Sequence, residues 1–350
     1  MSVQLAKRKR SESTSQPPPA EHELTRSKDL WFDDGNVVLQ AEKTQFRVHR
    51  SVLSLHSSVF RDMFSAPLLH GDSTVDGCPL VIVQDTSMDW ENILSVLYRG
   101  YHTPSRMYET VDDFPIDMLI SMLRVGRKYA LTHLVLSATR RLRAELPRTF
   151  RNWQESPLSD HKQHQPLRVA DNVFTIGREV DLINAVSDAG LRSLLPTLFY
   201  LLLRDQALSV VLEGAISESK PPSRLSLETQ RAILVGRVGL MKGIMKYPVR
   251  WMISQGSWQE MDCEQDCAAE RVAVLEESVQ SFSTDVSWAL QEITPEVLER
   301  FCRKCAPRIK KTVSVAQSRL WDELPRYFGL PDWDTLIENE EKDLEYAKET

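Results

Sequence analysis

The spacing of apolar residues predicts both strands and helices in the first part of the chain and helices alone in the second. Two short apolar stretches, residues 37–39 and 45–48, flank a polar turn and predict a β-hairpin. In residues 52–64 apolar side chains recur every three or four positions. The pattern is broken around Ser57 and Ser58, where a serine can cap a new helix, so two short helices should follow the hairpin. The apolar run at residues 80–83 predicts a buried strand.

Three further helices complete the first predicted domain, at about residues 88–98, 116–129 and 133–146. Beyond a polar, proline-punctuated segment, almost every stretch has helical periodicity. The predicted boundaries are a disordered basic and proline-rich tail at 1–27, an α+β domain at 28–146, a linker or long loop at 147–170, an all-α C-terminal region at 171–335 and an acidic tail at 336–350.

Composition narrows the class of protein. The 350 residues carry a formal net charge of −6, which gives no whole-protein field for nucleic acid or a membrane surface. No apolar run reaches the ~18–20 residues of a membrane helix. The N-terminus lacks the apolar core of a secretory signal. We therefore expect a protein of the nucleus or cytoplasm, with no membrane partner and with nucleic acid disfavoured as a partner.

Each of two basic clusters can be explained either by a function or simply as solvated surface charge. The first is the contiguous run Lys7, Arg8, Lys9 and Arg10. In a disordered tail this run is either a nuclear import signal or a solvated run of charge. The second cluster lies between residues 303 and 319 and precedes an acidic stretch at 338–341. We expect it to be a solvated helix face whose charges are matched within the protein.

No arrangement of residues in the sequence predicts catalysis. His49 follows a predicted strand and precedes a predicted helix, but no G-x-S-x-G frame accompanies it. The sequence also contains no phosphate loop, dinucleotide fingerprint or H-E-x-x-H motif. We therefore expect no catalytic residues, no cofactor and no enzyme activity, with His49 bonded to backbone at the strand end.

Four of the five cysteines form two closely spaced pairs. They are Cys263, Cys267, Cys302 and Cys305. On helices, such spacings place both thiols of a pair on one face, and two such helices could offer four thiolates to zinc. The alternative is buried apolar packing, because free cysteine is among the most buried residue types. We favour packing and keep zinc, together with a zinc-dependent enzyme, as the less favoured hypothesis.

Several segments of the first domain resemble the BTB (POZ) domain family. They are residues 36–39, 46–53, 57–64, 81–83, 88–101 and 119–142. These segments occur in order and with suitable spacing over residues 28–146. Stretches such as WFDDGNVVLQAE and LWDELPRYFGLPDW resemble the BTB proteins expanded in basidiomycete fungi. The resemblance implies an α+β BTB/POZ domain of short strands capped by helices, followed here by the all-α C-terminal region.

One position departs from the family pattern. Animal members usually carry Asp at the start of the first strand, paired with the basic residue of a His-Arg step in a charged pocket at the dimer interface. Here that place is Asn36, while His49 and Arg50 keep the step, and Asp33 and Asp34 lie shortly before Asn36. These five residues become candidate interface positions, with Arg50 either paired to Asp33 or Asp34 or facing solvent.

The resemblance implies a protein–protein interaction module rather than a catalyst. Family members homodimerise, dock on a cullin scaffold as substrate adaptors, or recruit transcriptional regulators. We favour a non-enzymatic module that dimerises and docks protein partners through its BTB domain. The alternatives are a substrate adaptor of a cullin-type ubiquitin ligase and a nuclear transcription regulator. Residues 172–204 are suggestive of the helices that extend the docking surface in some adaptors.

Overall fold

A computed structural model describes most of the chain. The described residues are 24–66, 73–99, 102–103, 106–107, 115–159, 178–214, 223–253, 263, 266–282 and 285–349. The basic run at residues 7–10 lies outside them. None of the helices in these ranges is both long enough and apolar enough to cross a membrane.

A five-stranded sheet forms one side of the first domain. Its strands are β1 (Thr25–Trp31), β2 (Val37–Ala41), β3 (Thr44–Val48), β4 (Thr74–Val75) and β5 (Cys78–Val83), in the order β1-β3-β2-β5-β4. Strands β2 and β3 form the predicted antiparallel hairpin, whose turn holds Glu42 at a positive φ of 51°. Strand β5 pairs with β2 in parallel and contains the strand predicted over residues 80–83, but that run is not fully buried, because only Val83 is buried and Ile82 is 69% exposed. A separate two-stranded sheet joins β6 (His102–Thr103) to β7 (Arg106–Met107).

Helices cover this sheet. They are α1 (Arg50–His56), α2 (Ser58–Ser65), α3 (Ser87–Arg99), α4 (Ile116–Lys128) and α5 (Thr132–Glu145). The break between α1 and α2 lies at Ser57, whose buried side chain accepts a hydrogen bond from the Phe60 amide and donates one to the carbonyl of Tyr129. Of the two serines that could cap a helix here, Ser57 is the one that caps α2. Phe60, Trp90 and Tyr129 pack ring against ring beside it, with centroids 5.0–5.7 Å apart.

The C-terminal region is helical, as predicted. Its helices are α6 (Phe150–Glu155), α7 (Arg178–Asp188), α8 (Leu195–Asp205), α9 (Leu208–Glu213), α10 (Leu227–Lys246), α11 (Arg250–Ile253), α12 (Cys267–Phe282), α13 (Pro295–Leu298), α14 (Cys305–Tyr327) and α15 (Trp333–Glu349). Helix α8 is central, because every residue from Leu195 to Leu203 is buried. The two halves share one continuous core, in which α7 packs on α4.

The segment predicted as a linker or long loop differs from that expectation over its first part. Thr149 caps α6, accepting from the Asn152 amide, and Trp153 on that helix is buried. The Trp153 ring packs edge-on against Tyr200 and tilted against Trp321, with centroids 5.4 and 5.5 Å away. Polar and proline-rich local sequence suggested a loop, but this one large side chain inserts into the core and holds the segment there.

The two segments that were predicted to be tails also differ from that prediction over the residues that the structure describes. Residues 25–27 belong to β1 at the edge of the sheet. The acidic segment forms most of α15. Glu340 on that helix is buried and accepts hydrogen bonds from Arg143 on α5 and from the amide of Ser193. The acidic composition suggested a tail, whereas Glu340 ties the last helix to the first domain.

Candidate functional site

His49 lies at the junction between β3 and α1 and is held by three contacts. Its backbone N–H donates to the Tyr98 hydroxyl at 2.7 Å, and its Nδ1 lies 3.1 Å from the same oxygen. Its Nε2 lies 3.2 Å from Oδ1 of Asp34. An imidazole that accepts from Tyr98 at Nδ1 carries its proton on Nε2 and donates it to Asp34. The ring is therefore positioned as a structural link between two segments, with no nucleophile among these contacts.

Tyr98 anchors this junction from α3. Its ring stacks on Phe32 with centroids 4.6 Å apart, which leaves it half-buried. Burial raises the pKa of Tyr98 above its usual range, although the hydrogen bond from the His49 amide acts in the opposite direction. The phenol therefore stays protonated at neutral pH and can donate to His49.

Arg50 contacts a different partner from the acidic one, Asp33 or Asp34, that its position in the family pattern suggested. In the described part of the chain it pairs with neither Asp33 nor Asp34. Its Nη2 donates to the carbonyl of Phe64 at 2.6 Å, and its guanidinium lies 4.9 Å from the centroid of the Phe64 ring. Its backbone N–H donates to Oδ1 of Asn36 at 2.8 Å. Arg50 thus clamps the end of α2 onto the start of α1.

Apolar side chains project into solvent from these two helices. Leu55 on α1 is 72% exposed, and Val59 and Met63 on α2 are 37% and 42% exposed. Val59 and Met63 are one turn apart and so share one side of α2. We call Leu55, Val59 and Met63 the α1–α2 face. Sequence periodicity placed all three in helices but could not separate them from Phe60, which faces the core.

Helices α4 and α5 of the first domain are contacted by the chain's own C-terminal helices. Helix α7 packs on α4, and Arg178 on α7 donates to Asp117 on α4 at 3.0 Å. Helix α15 reaches α5 through the pair of Glu340 with Arg143. The C-terminal region therefore packs on α4 and α5, while the α1–α2 face is exposed to solvent among the residues that the structure describes.

Comparison with known proteins agrees with this fold. The family model of the BTB/POZ domain matches residues 26–146. Residues 26–146 are a BTB/POZ domain. BTB domains are protein-interaction domains and not a catalytic fold. The match covers about a third of the 350 residues. No curated protein matches the chain significantly.

A second candidate site lies in the helical region that follows the BTB domain. The sulfur atoms of Cys263, Cys267, Cys302 and Cys305 all lie within 4.8 Å of one another. The Sγ atoms of Cys263 and Cys305 are 3.4 Å apart, and the Cys302 amide donates to the sulfur of Cys267 at 3.3 Å. The four cysteines that the sequence analysis singled out therefore lie together in the structure.

The placement of the two pairs differs from the expectation that each lies along one helix. Cys267 is the first residue of α12 and Cys305 is the first residue of α14. Cys263 and Cys302 lie in the segments that precede these helices. Each pair therefore has one cysteine before a helix and one at the first residue of that helix. For the second pair, the turns and bend between residues 299 and 304 interrupt the helical pattern between α13 and α14.

The local backbone changes the acidity of these thiols. Hydrogen bonds from the backbone N–H groups of Cys305 and Lys304 lower the pKa of Cys302 to about 7, against the effect of burial. Burial raises the pKa of Cys305 above its usual range, and hydrogen bonds to the neighbouring cysteine sulfurs act in the same direction. The pKa of Cys302 is thus lowered towards neutral pH, whereas that of Cys305 is raised.

The late basic residues are exposed, as expected, and several of them line a groove. The groove has a volume of about 770 Å³ and lies between the α10–α11 segment and α14. Its basic residues are Lys246, Arg250, Arg308, Lys311 and Arg319. The acidic C-terminal segment was expected to match these charges, but its Glu340 is engaged with Arg143.

Proposed function

We propose that this protein is a non-enzymatic interaction module that forms a homodimer through the α1–α2 face of its BTB domain. The observation that carries the proposal is the solvent exposure of Leu55, Val59 and Met63 on two adjacent helices. Burying such side chains against a partner is favourable by about 25 cal/mol per Å² of apolar surface. A BTB fold supplies the general role in protein interaction.

A second copy of the chain suits this face better than a strongly charged partner does. A two-fold interface pairs the same patch with itself, so the patch must be self-complementary. An apolar patch meets this condition. Its neighbours Arg61 and Asp62 are exposed and of opposite sign, so they add no net like-charge repulsion. The side of the domain that carries α4 is already occupied by α7.

The oligomeric state of the full chain tests the proposal. Size-exclusion chromatography with light scattering, at about tens of micromolar protein, should give a dimer mass for the wild type and a monomer mass for Leu55→Asp with Met63→Asp. The matched control is Ile82→Asp on β5, since Ile82 is 69% exposed in the same domain. The control should remain a dimer. A clean wild-type monomer contradicts the homodimer, and loss of the dimer in the Ile82 variant alone contradicts the choice of face.

A cullin-type adaptor role receives less support. The segment suggestive of an extended docking surface includes α8, yet Leu198, Tyr200 and Leu202 on that helix are buried in the core. The adaptor hypothesis predicts co-purification of the folded protein with a cullin scaffold from the native cell. Failure of a folded, tagged chain to capture the scaffold contradicts it.

A nuclear regulator is the alternative that one sequence feature favours. Lys7, Arg8, Lys9 and Arg10 form a compact basic run that suits nuclear import, and they lie outside the described residues. A fluorescent reporter fused to residues 1–27 should enter the nucleus, and the version with four alanines should not. Cytoplasmic retention of both reporters contradicts nuclear import by this run.

A zinc-dependent enzyme is the least favoured function. His49 is engaged with Tyr98 and Asp34 in the BTB domain and is not part of the cysteine cluster. Four protein ligands would also fill a tetrahedral metal site, whereas catalytic zinc keeps one position for water or substrate.

A further inference from the structure

We propose that Cys263, Cys267, Cys302 and Cys305 bind one zinc ion as a structural site that joins the start of α12 to the start of α14. The site lies in the helical region and is independent of the proposed BTB dimer. It would link two parts of the chain that are more than thirty residues apart, since Cys267 and Cys302 differ by 35 positions.

The sulfur positions suit a single tetrahedral ion. Zinc–sulfur bonds of about 2.3 Å place neighbouring sulfurs of a tetrahedron about 3.8 Å apart. The four sulfurs here lie within 4.8 Å of one another, and those of Cys263 and Cys305 are 3.4 Å apart. The observed separations therefore bracket the required one, and shifts of less than about 1 Å complete the geometry.

The surrounding backbone favours thiolates at this place. Cys267 and Cys305 begin helices of 16 and 23 residues, and the positive end of a helix dipole stabilises a nearby thiolate. The Cys302 amide donates directly to the Cys267 sulfur. Hydrogen bonds of this kind orient metal ligands and disperse their charge. A set of four thiolates around Zn²⁺ carries excess negative charge, which these donors offset.

Apolar packing alone does not account for the cluster. Packing requires only that a small side chain fill a gap, and it gives no reason for separate segments to bring their sulfurs together. Four of the chain's five cysteines converge here, and the fifth, Cys78, lies in the BTB domain and donates to the Gly35 carbonyl. A set of four sulfur ligands selects zinc or iron. Four ligands leave no open position, which is typical of structural sites.

Neighbouring contacts show why a link at this point would stabilise the region. Arg300 forms ion pairs with Glu270 and Glu277 on α12. The rings of Trp251 and Phe301 pack edge to face, with centroids 5.8 Å apart. The exposed ion pairs join the same two segments as the cysteines, and the aromatic contact connects α11 to the segment before α14. A metal would add coordinate bonds to this weak surface pairing at the junction of the two segments.

Metal analysis of the full chain tests the site. Protein expressed in zinc-supplemented medium and purified without added metal or chelator should contain about one zinc per chain by mass spectrometry. Cys302→Ser with Cys305→Ser should reduce the content at least about tenfold. The matched control, Cys78→Ser, should keep the wild-type content. Less than about a tenth of an equivalent in folded wild-type protein, or one iron in place of zinc, overturns the proposal.

A second measurement on the wild type covers the case in which the cysteine variants do not fold. Thiol titration of the native protein should find the four cluster thiols protected, and a chelator should expose them as it releases one equivalent of zinc. Replacement of zinc by cobalt should produce the visible absorption of a tetrahedral cobalt thiolate. Four thiols that react equally with and without chelator, or a disulfide between Cys263 and Cys305 in non-reduced peptides, overturn the proposal.

Discussion

Glu340→Ala should destabilise the whole protein, although Glu340 lies near the end of the chain. Its side chain is only 2% exposed and accepts from Arg143 at 2.8 and 2.5 Å and from the Ser193 amide at 3.0 Å. Removing one partner of a buried ion pair costs about 3–5 kcal/mol. We expect the lower end, about 3 kcal/mol, because Arg143 is 22% exposed and regains some hydration. The orphaned amide adds about 1 kcal/mol, for a total near 4 kcal/mol.

Urea unfolding followed by far-ultraviolet circular dichroism measures this loss. The control is Glu338→Ala, an exposed position on the same helix, which should change the free energy of unfolding by less than about 0.5 kcal/mol. In a double-mutant cycle with Arg143→Met, the double variant should lose at least about 2 kcal/mol less than the sum of the single losses. Equal losses in the Glu340 and Glu338 variants, or strict additivity, would refute the reasoning.

Three further predictions concern the core and its titration. Trp153→Ala should cost about 3–5 kcal/mol of unfolding free energy, because the buried ring packs on two other aromatic rings. Gly236→Ala should cost about 1–3 kcal/mol by urea unfolding, since the added Cβ would lie 2.2 Å from the Phe328 ring, although alanine favours helix. Burial and a hydrogen bond to Asp85 raise the pKa of Tyr129 above its ordinary value of 10.0. The protonated phenol of Tyr129 therefore stabilises the folded chain fully below about pH 10, and this stabilisation is lost as the pH rises further. The urea midpoint should fall at alkaline pH, and it should fall less steeply in Tyr129→Phe.

Each of these three predictions has an outcome that contradicts it. A Trp153→Ala protein as stable as the wild type would place residues 147–159 outside the cooperative core. A more stable Gly236→Ala protein would mean that Phe328 moves away at no cost. Equal alkaline slopes for the wild type and Tyr129→Phe would mean that this phenol ionises alike in the folded and unfolded chain.

The sequence by itself determined the kinds of element and their order. Short apolar runs predicted the β2–β3 hairpin and the strand at residues 80–83, and three-to-four spacings of apolar residues predicted the helices around them. The serine between α1 and α2 predicted a cap that the structure contains. Ordered motifs predicted the BTB domain, and the family match confirmed it. These features are local, so a single stretch of residues contains the information for each.

Tertiary structure decided which elements meet. Helical periodicity shows that an apolar side exists but not what covers it, so Leu55 and Phe60 looked alike in sequence. Composition assigned Trp153 to a linker and Glu340 to a tail, whereas partners far along the chain bury both. Arg143 and Glu340 are 197 residues apart, and no local pattern encodes that pairing. The four cysteines could be named from spacing, but only packing of the start of α12 against the start of α14 brings their sulfurs within reach of one ion.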